Sequence, residues 1–169
     1  MIRTKLSVLV IAFATAVLAA ASPAAADPPT HEDLGTFPYE FTVDCSSFGL
    51  SFENQVQGEE ELSVDTFYDS QGAARKVVYH DRFVETDTNS VSGKVMRFSG
   101  NRTDTYDLVD GSRTVTGRSF LVTDPGRGVV IHDTGRVVFD APFHVVFTAG
   151  PHDVLFGNAD ELACTALAE

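Results

Sequence analysis

The chain is short of the residues on which several protein classes depend. Its 169 residues include no tryptophan, two cysteines and two methionines, and 12 Lys and Arg face 24 Asp and Glu. The formal net charge of −12 repels phosphate backbones and anionic bilayers, so we expect no nucleic-acid binding. Solubility outside the cell explains the acidic charge. The alternative is attraction of a cationic partner or of metal ions, but no clustered acidic run beyond Glu59–Glu61 supports it. No segment is low in complexity and 43% of the residues are hydrophobic, which excludes disorder, collagen and coiled coil.

The sequence also lacks the common signatures of catalysis and metal binding. It contains no G-x-S-x-G nucleophile elbow, no H-E-x-x-H zinc motif and no G-x-x-x-x-G-K phosphate loop. The acidic stretch from Asp104 to Gly111 departs from the spacing of a calcium loop. It is typical of a strand that runs into an Asp-Gly hairpin turn. We therefore predict no cofactor and no metal, and no residue is assigned a catalytic role.

The first 26 residues have the features of a secretory signal peptide. Arg3 and Lys5 give a positive start, Leu6 to Ala20 form an uncharged apolar run, and Ala24-Ala25-Ala26 matches the A-x-A cleavage rule. The run is about 15 residues long, whereas a membrane-spanning helix needs about 20. We expect cleavage after Ala26, export to the medium or the cell envelope, and no stable membrane anchor.

Two cysteines in an exported chain favour a disulfide, and one pairing is available, Cys45 with Cys164. Such a bridge would fasten the first part of the fold to the last. A catalytic thiol is the functional alternative, but it needs a surrounding that lowers its pKa, and the sequence displays none.

The mature chain is predicted to be a single β-rich domain, residues 37–169, after a flexible lead-in, residues 27–36, that is rich in proline and polar residues. Apolar and polar residues alternate from Tyr39 to Val43 and from Phe48 to Phe52, which indicates strands with one buried face. Further strand candidates are Glu61–Tyr68, Ala74–Val84, Val91–Ser99, Thr103–Val109, Arg113–Thr123, Arg127–His132, Arg136–Asp140 and Phe143–Thr148.

Short breaks with turn residues separate these candidates, among them Ser99-Gly100-Asn101, Asp110-Gly111 and Asp133-Thr134-Gly135. They are too short for crossovers, so consecutive strands should pair antiparallel as a meander. We expect an all-β barrel, because closure removes the two unpaired edges; a β-sandwich is the alternative. At the end, Asn158 and Glu161 suit a helix cap, and we expect a short C-terminal helix.

Candidate site residues are few. His-Asp occurs at His80, His132 and His152, but adjacent residues of a strand point to opposite faces, so the dipeptide does not by itself form a dyad. If His80 and His132 both faced the interior, they could act as an acid/base pair or as metal ligands, although nothing in the sequence locates a third ligand. Arg82 is a further weak candidate for binding a ligand. Cross-strand pairing with carboxylates explains it equally well, and the same holds for Arg113 and Arg118.

Four phenylalanines would form the core or line a cavity: Phe120, Phe139, Phe143 and Phe147.

The order of several turn-rich motifs resembles small exported proteins of actinobacteria. The shared features are an Ala-rich signal, a cysteine soon after a Phe-rich first strand, and a second cysteine near the end. The motifs are Val115-Thr116-Gly117-Arg118, Asp124-Pro125-Gly126-Arg127-Gly128-Val129-Val130, Asp133-Thr134-Gly135-Arg136-Val137-Val138-Phe139 and Ala149-Gly150-Pro151-His152. These proteins have no assigned activity, so the resemblance implies export and β-structure and no catalytic residue.

Two functional hypotheses follow. The first is a secreted, non-catalytic β-barrel that binds a small apolar ligand or a surface partner, motivated by the alternation and the 13 phenylalanines. The second is a small barrel enzyme of cyclase or isomerase type, for which His80, Arg82 and His132 would be tested first. It depends on fold analogy alone.

Overall fold

The computed structural model describes residues 27–141, 144–155 and 157–169. The predicted signal peptide, Met1 to Ala26, and Phe143 lie outside these ranges. Within them the chain forms seven strands, one 3-10 turn and one helix. Their bounds are β1 Thr30–Asp44, the 3-10 turn Cys45–Phe48, β2 Glu53–Tyr68, β3 Ala74–Asn89, β4 Val95–Asp107, β5 Arg113–Asp124, β6 Gly128–Asp140, β7 His144–Ala149 and α1 Ala159–Ala168.

The strands form one antiparallel sheet in sequence order, β1 to β7, and every pairing joins consecutive strands. The predicted all-β meander and the C-terminal helix are therefore confirmed. The sheet is not closed, because β1 and β7 lie at its two edges and no pairing joins them in the described part of the chain. In that same part, no helix has the length and apolar content needed to cross a bilayer.

Several predicted boundaries are wrong. Glycines read as turns lie inside strands: Ser99-Gly100-Asn101 continues β4 through a bulge, and Asp133-Thr134-Gly135 continues β6. At these positions the glycines do not reverse the chain; they let neighbouring side-chain or backbone atoms approach closely. A Cβ on Gly100 would lie 2.2 Å from the Phe83 ring, and one on Gly135 would lie 1.9 Å from the Ala149 carbonyl oxygen.

Two further corrections concern the first part of the chain. Thr30 to Thr36, expected in the lead-in, belong to β1, where they pair with β2 residues as far along as Thr66. The strand expected at Phe48–Phe52 is absent. Instead, Asp44 Oδ1 accepts from the Ser46 backbone N–H and starts the 3-10 turn, which Gly49 ends at a φ of 80°.

The sheet has two unlike faces, and we name the one that α1 covers the inner face. Residues opposite one another in an antiparallel pair share a face, so the register assigns its members. They include Phe41, Val56, Phe83, Glu85, Asp87, Met96, Phe98, Val122 and Ile131. Ala163 and Leu167 of α1 are buried in one cluster with five of these side chains, and that cluster is the core. The intervening strand residues form the outer face.

α1 is capped at its start and joined to neighbouring parts of the sheet near its end. Asn158 caps it by accepting from the backbone N–H groups of Asp160 and Glu161. Near its other end, the Lys94 ammonium donates to the Ala166 carbonyl, and Asn89 donates to that of Leu167.

The predicted Cys45–Cys164 disulfide is present and joins the 3-10 turn to α1, with a Cα separation of 5.7 Å. Both cysteines are fully buried. The bridge spans a sequence separation of 119 residues and is compatible with an exported protein.

Removing this bridge should cost about 4 to 5 kcal/mol of unfolding free energy, because it closes a long loop of the unfolded chain. Urea unfolding of the oxidised and reduced wild-type protein measures the difference. The double variant Cys45→Ala/Cys164→Ala is the matched comparison and should unfold with the reduced protein. Equal midpoints for the oxidised and reduced forms would contradict the expectation.

Candidate functional site

The three weakly predicted site residues lie on the outer face. His80, Arg82 and His132 are all exposed, and the strand alternation that buries Asp81 and Asp133 turns them outward. His80 and Arg82 line one shallow surface groove, which His132 does not join. Their ligand-binding role stays a prediction, and no face of the sheet brings all three together around one cavity.

His80 belongs to an exposed cluster instead. Its Nε2 lies 2.9 Å from Asp65 Oδ2, and His31 Nδ1 lies 2.7 Å from Asp65 Oδ1. These hydrogen bonds hold the pKa of Asp65 below its usual value and fasten β1, β2 and β3 across the outer face. Among the described residues, no group of three or more His, Cys, Asp or Glu side chains is arranged to hold a metal ion.

Asp133 of β6, also part of a His-Asp dipeptide, has a structural role. Its Oδ2 accepts from the backbone N–H groups of Val154 and Leu155 at 3.1 and 2.9 Å, and its Oδ1 lies 3.2 Å from His152 Nδ1. Asp133 therefore holds the segment that leads into α1 against the sheet.

The inner face contains a cavity of about 200 Å³ beside the first turn of α1, and we call it the inner cavity. Its wall is mostly apolar. The lining residues are Phe41, Val43, Asn54, Val56, Glu85, Asp87, Phe98, Phe120, Val122, Ile131, Val154, Ala159, Asp160 and Ala163. Exposed Phe41 and Asp160 mark its rim.

Strands β1 to β6 all contribute to this one cavity, from Phe41 in β1 to Ile131 in β6. In a flat sheet these two strands would lie about 24 Å apart, five spacings of roughly 4.8 Å. The sheet therefore wraps around the inner cavity, although no pairing between β1 and β7 is found in the described ranges.

Of the phenylalanines predicted to form the core or line a cavity, one lines the inner cavity and two lie elsewhere. Phe120 lines the inner cavity, where its ring meets that of Phe83 edge-on, with centroids 5.4 Å apart. Phe139 packs under the Arg113 guanidinium, and Phe147 is about half exposed.

Asn54 and Asp87 form a buried polar pair in the wall of the inner cavity. They are 1% and 2% exposed, and Asn54 Nδ2 donates to Asp87 Oδ2 at 2.5 Å. Among the described residues, Oδ1 of each side chain has no hydrogen-bond partner. Buried oxygens without partners are rare and costly, so this pair differs from an ordinary packing contact.

Burial raises the pKa of Asp87 to about 7, and the neighbouring Glu85 and Asp160 carboxylates add to the rise, whereas the hydrogen bond from Asn54 opposes it. Burial also raises the pKa of Glu85. Tyr39 donates to Glu85 Oε2 at 2.6 Å, and the pKa of its phenol is raised by burial and by that carboxylate. Near neutral pH the inner cavity thus contains a carboxyl group close to its titration midpoint.

Two other inward carboxyl groups, Asp81 and Asp104, have cationic partners. Arg102 pairs with Asp81 at 2.5 Å, and Arg113 forms a two-pronged ion pair with Asp104. The Arg113 pair is the cross-strand pairing that the sequence predicts. Among the described residues that line the inner cavity, none is Lys, Arg or His, so no such cation faces Asp87 from this part of the chain.

Sequence reasoning missed Glu85 and Asp87, since it ended their strand at Val84. The strand continues to Asn89, and the alternation places Asp81, Phe83, Glu85 and Asp87 on one face. The sequence does contain a signal for these residues: three acidic residues alternate along the strand on the same face as a core phenylalanine.

Comparison with known proteins identifies no relative: no protein family matches the chain, and neither a curated protein nor a solved structure is similar to it at a significant level. The resemblance to exported actinobacterial proteins stays a prediction.

Asp87→Asn should remove a pH dependence of stability. The folded state keeps the Asp87 proton up to a pH of about 7, whereas the unfolded chain releases it near its ordinary pKa of 3.8, so the free energy of unfolding falls between those values. Above pH ~7 the free energy of unfolding of the variant should exceed that of wild type by up to about 4 kcal/mol, and near pH ~4 the two values should agree.

Urea unfolding at both pH values tests this expectation. Glu59→Gln, which removes an exposed carboxylate from the same sheet, is the control and should follow wild type. An Asp87→Asn effect of equal size at both pH values would contradict the assignment.

Proposed function

We propose that the protein is a secreted binding protein that takes a small, largely apolar molecule into the inner cavity. One observation carries the proposal: an apolar pocket on the inner face contains a buried polar pair with two unpartnered oxygens. Pockets that combine an apolar wall with a few convergent polar groups are typical of ligand sites.

The size of the inner cavity limits the ligand. Its volume of about 200 Å³ equals that of about seven water molecules at ~30 Å³ each. A molecule of one or two small rings fits this space, whereas a larger one would extend past the rim at Phe41. In this proposal the wrapped sheet acts as an incomplete barrel, and α1 covers the inner face.

Indole is a suitable neutral probe, because it is apolar, carries one N–H donor and fluoresces, and the chain contains no tryptophan to mask its emission. We expect saturable binding with a blue shift of that emission. Ala159→Phe adds a ring to the cavity wall and should weaken binding at least about tenfold, or about 1.4 kcal/mol.

Ala168→Phe places the same change at the exposed opposite end of α1 and should leave indole binding unchanged. Thermal unfolding verifies that both variants fold. Equal affinities in wild type and Ala159→Phe, or no saturable signal in wild type, would refute the inner cavity as the site.

The enzyme hypothesis has one specific support: Asp87 is a carboxyl group beside an apolar cavity, and its pKa of about 7 suits a general base. In an isomerase or cyclase of this kind, Asp87 would accept the substrate proton. His80, Arg82 and His132 would have no part in it, since they lie outside the cavity.

Proton abstraction from 5-nitrobenzisoxazole probes this second candidate. Asp87 Oδ1 would take the C3 proton, the C–H electrons would form the nitrile, and the ring N–O bond would break to release a coloured phenolate. We expect a rate that rises with pH through about 7 and disappears in Asp87→Asn but not in Glu59→Gln. A rate that survives Asp87→Asn excludes Asp87 as the base.

A further inference from the structure

We propose that the ligand of the inner cavity is a small primary ammonium ion with an apolar body, its head bound by Asn54 Oδ1 and Asp87 Oδ1. The inference rests on the proposed function and specifies the chemistry of the ligand. It depends on the hydrogen-bonding capacity of the pair, the charge of the cavity wall and the aromatic rings beside it.

The hydrogen-bonding capacity favours a donor-rich head group. Asn54 Nδ2 already donates a hydrogen bond to Asp87 Oδ2, so the pair offers two buried acceptor atoms, Oδ1 of each residue. A hydroxyl has a single hydrogen to donate, whereas a primary ammonium has three. One ammonium therefore satisfies both acceptors at once and keeps a third donor for a neighbouring carboxylate.

The charge of the wall favours a cation. Glu85, Asp87 and Asp160 line the inner cavity, and the structure describes no basic side chain that lines it with them. Tyr39, the polar neighbour on β1, is a neutral phenol that donates its hydroxyl hydrogen to Glu85, so it supplies no counter-charge to Asp87. A bound ammonium would supply that charge and hold Asp87 ionised, since an opposite charge nearby lowers the pKa of a carboxyl group.

The apolar part of the wall suits the rest of such a molecule. Phe41, Phe98 and Phe120 are among the lining residues. The faces of aromatic rings attract cations and also pack against an apolar body. The net charge of the chain, −12, attracts cationic ligands over longer distances.

Three probes with similar carbon skeletons separate the possibilities: 2-phenylethylammonium, 2-phenylethanol and 3-phenylpropionate. Calorimetric titration of the wild-type protein should give the tightest binding for the ammonium, weaker binding for the alcohol and none for the carboxylate. The ammonium affinity should rise about tenfold between pH ~6 and ~8, as Asp87 ionises and the amine stays protonated, and the alcohol affinity should not.

Asp87→Asn keeps the shape of the pair and removes the charge. It should weaken ammonium binding at least about tenfold, or about 1.4 kcal/mol, and abolish its pH dependence, with alcohol binding within about twofold of wild type. Glu59→Gln removes a carboxylate from the outer face and is the matched control. Thermal unfolding verifies folding of both variants.

The outcomes distinguish this inference from the proposed function. If the alcohol or the carboxylate binds as tightly as the ammonium, or if Asp87→Asn leaves ammonium binding unchanged, the ammonium inference is overturned. Saturable indole binding would then still support an apolar ligand site. If indole and all three probes fail to bind, both proposals fall.

Discussion

The inner cavity exists because α1 is held a fixed distance from the sheet. Three contacts do this: the Cys45–Cys164 bridge joins α1 to the turn after β1, Asp133 accepts from the backbone that precedes α1, and Lys94 donates to the helix near its end. Core side chains of α1 pack against the inner face between these points. Without them the inner face would be open to water, and burial would no longer raise the pKa of Asp87.

The inner face contains several buried carboxyl groups, and these groups differ in their partners. Asp81 and Asp104 have arginine partners, which supply charge and hydrogen bonds together. Asp87 has only the Asn54 amide as a hydrogen-bond donor and lies beside other acidic side chains, so its ionised form is destabilised. Asp81 Oδ1 and Arg102 Nε also lack a hydrogen-bond partner among the described residues, but these two side chains form an ion pair with each other. Asn54 and Asp87 have no such cation, which is consistent with a binding site at that pair, because functional sites commonly sacrifice stability.

Local patterns predicted the architecture well. The alternation at Tyr39–Val43, the Asp110-Gly111 turn and the cap at Asn158 each depend on near neighbours, and each is found in the structure. Gly100 and Gly135 were misread because a glycine needed for close packing looks the same in sequence as one needed for a turn. The site could not be predicted, since it requires the wrap that brings Phe41 and Ile131 to one cavity, and no local pattern encodes that wrap.

The strand order has a consequence for how the molecule assembles. Each of the six strand pairings is a hairpin between neighbours, so the sheet can grow by zippering with little loop-closure entropy at any step. The cysteines are 119 residues apart in sequence and are brought together where α1 lies beside the 3-10 turn. The bridge therefore reports on long-range order that none of the six hairpins provides alone.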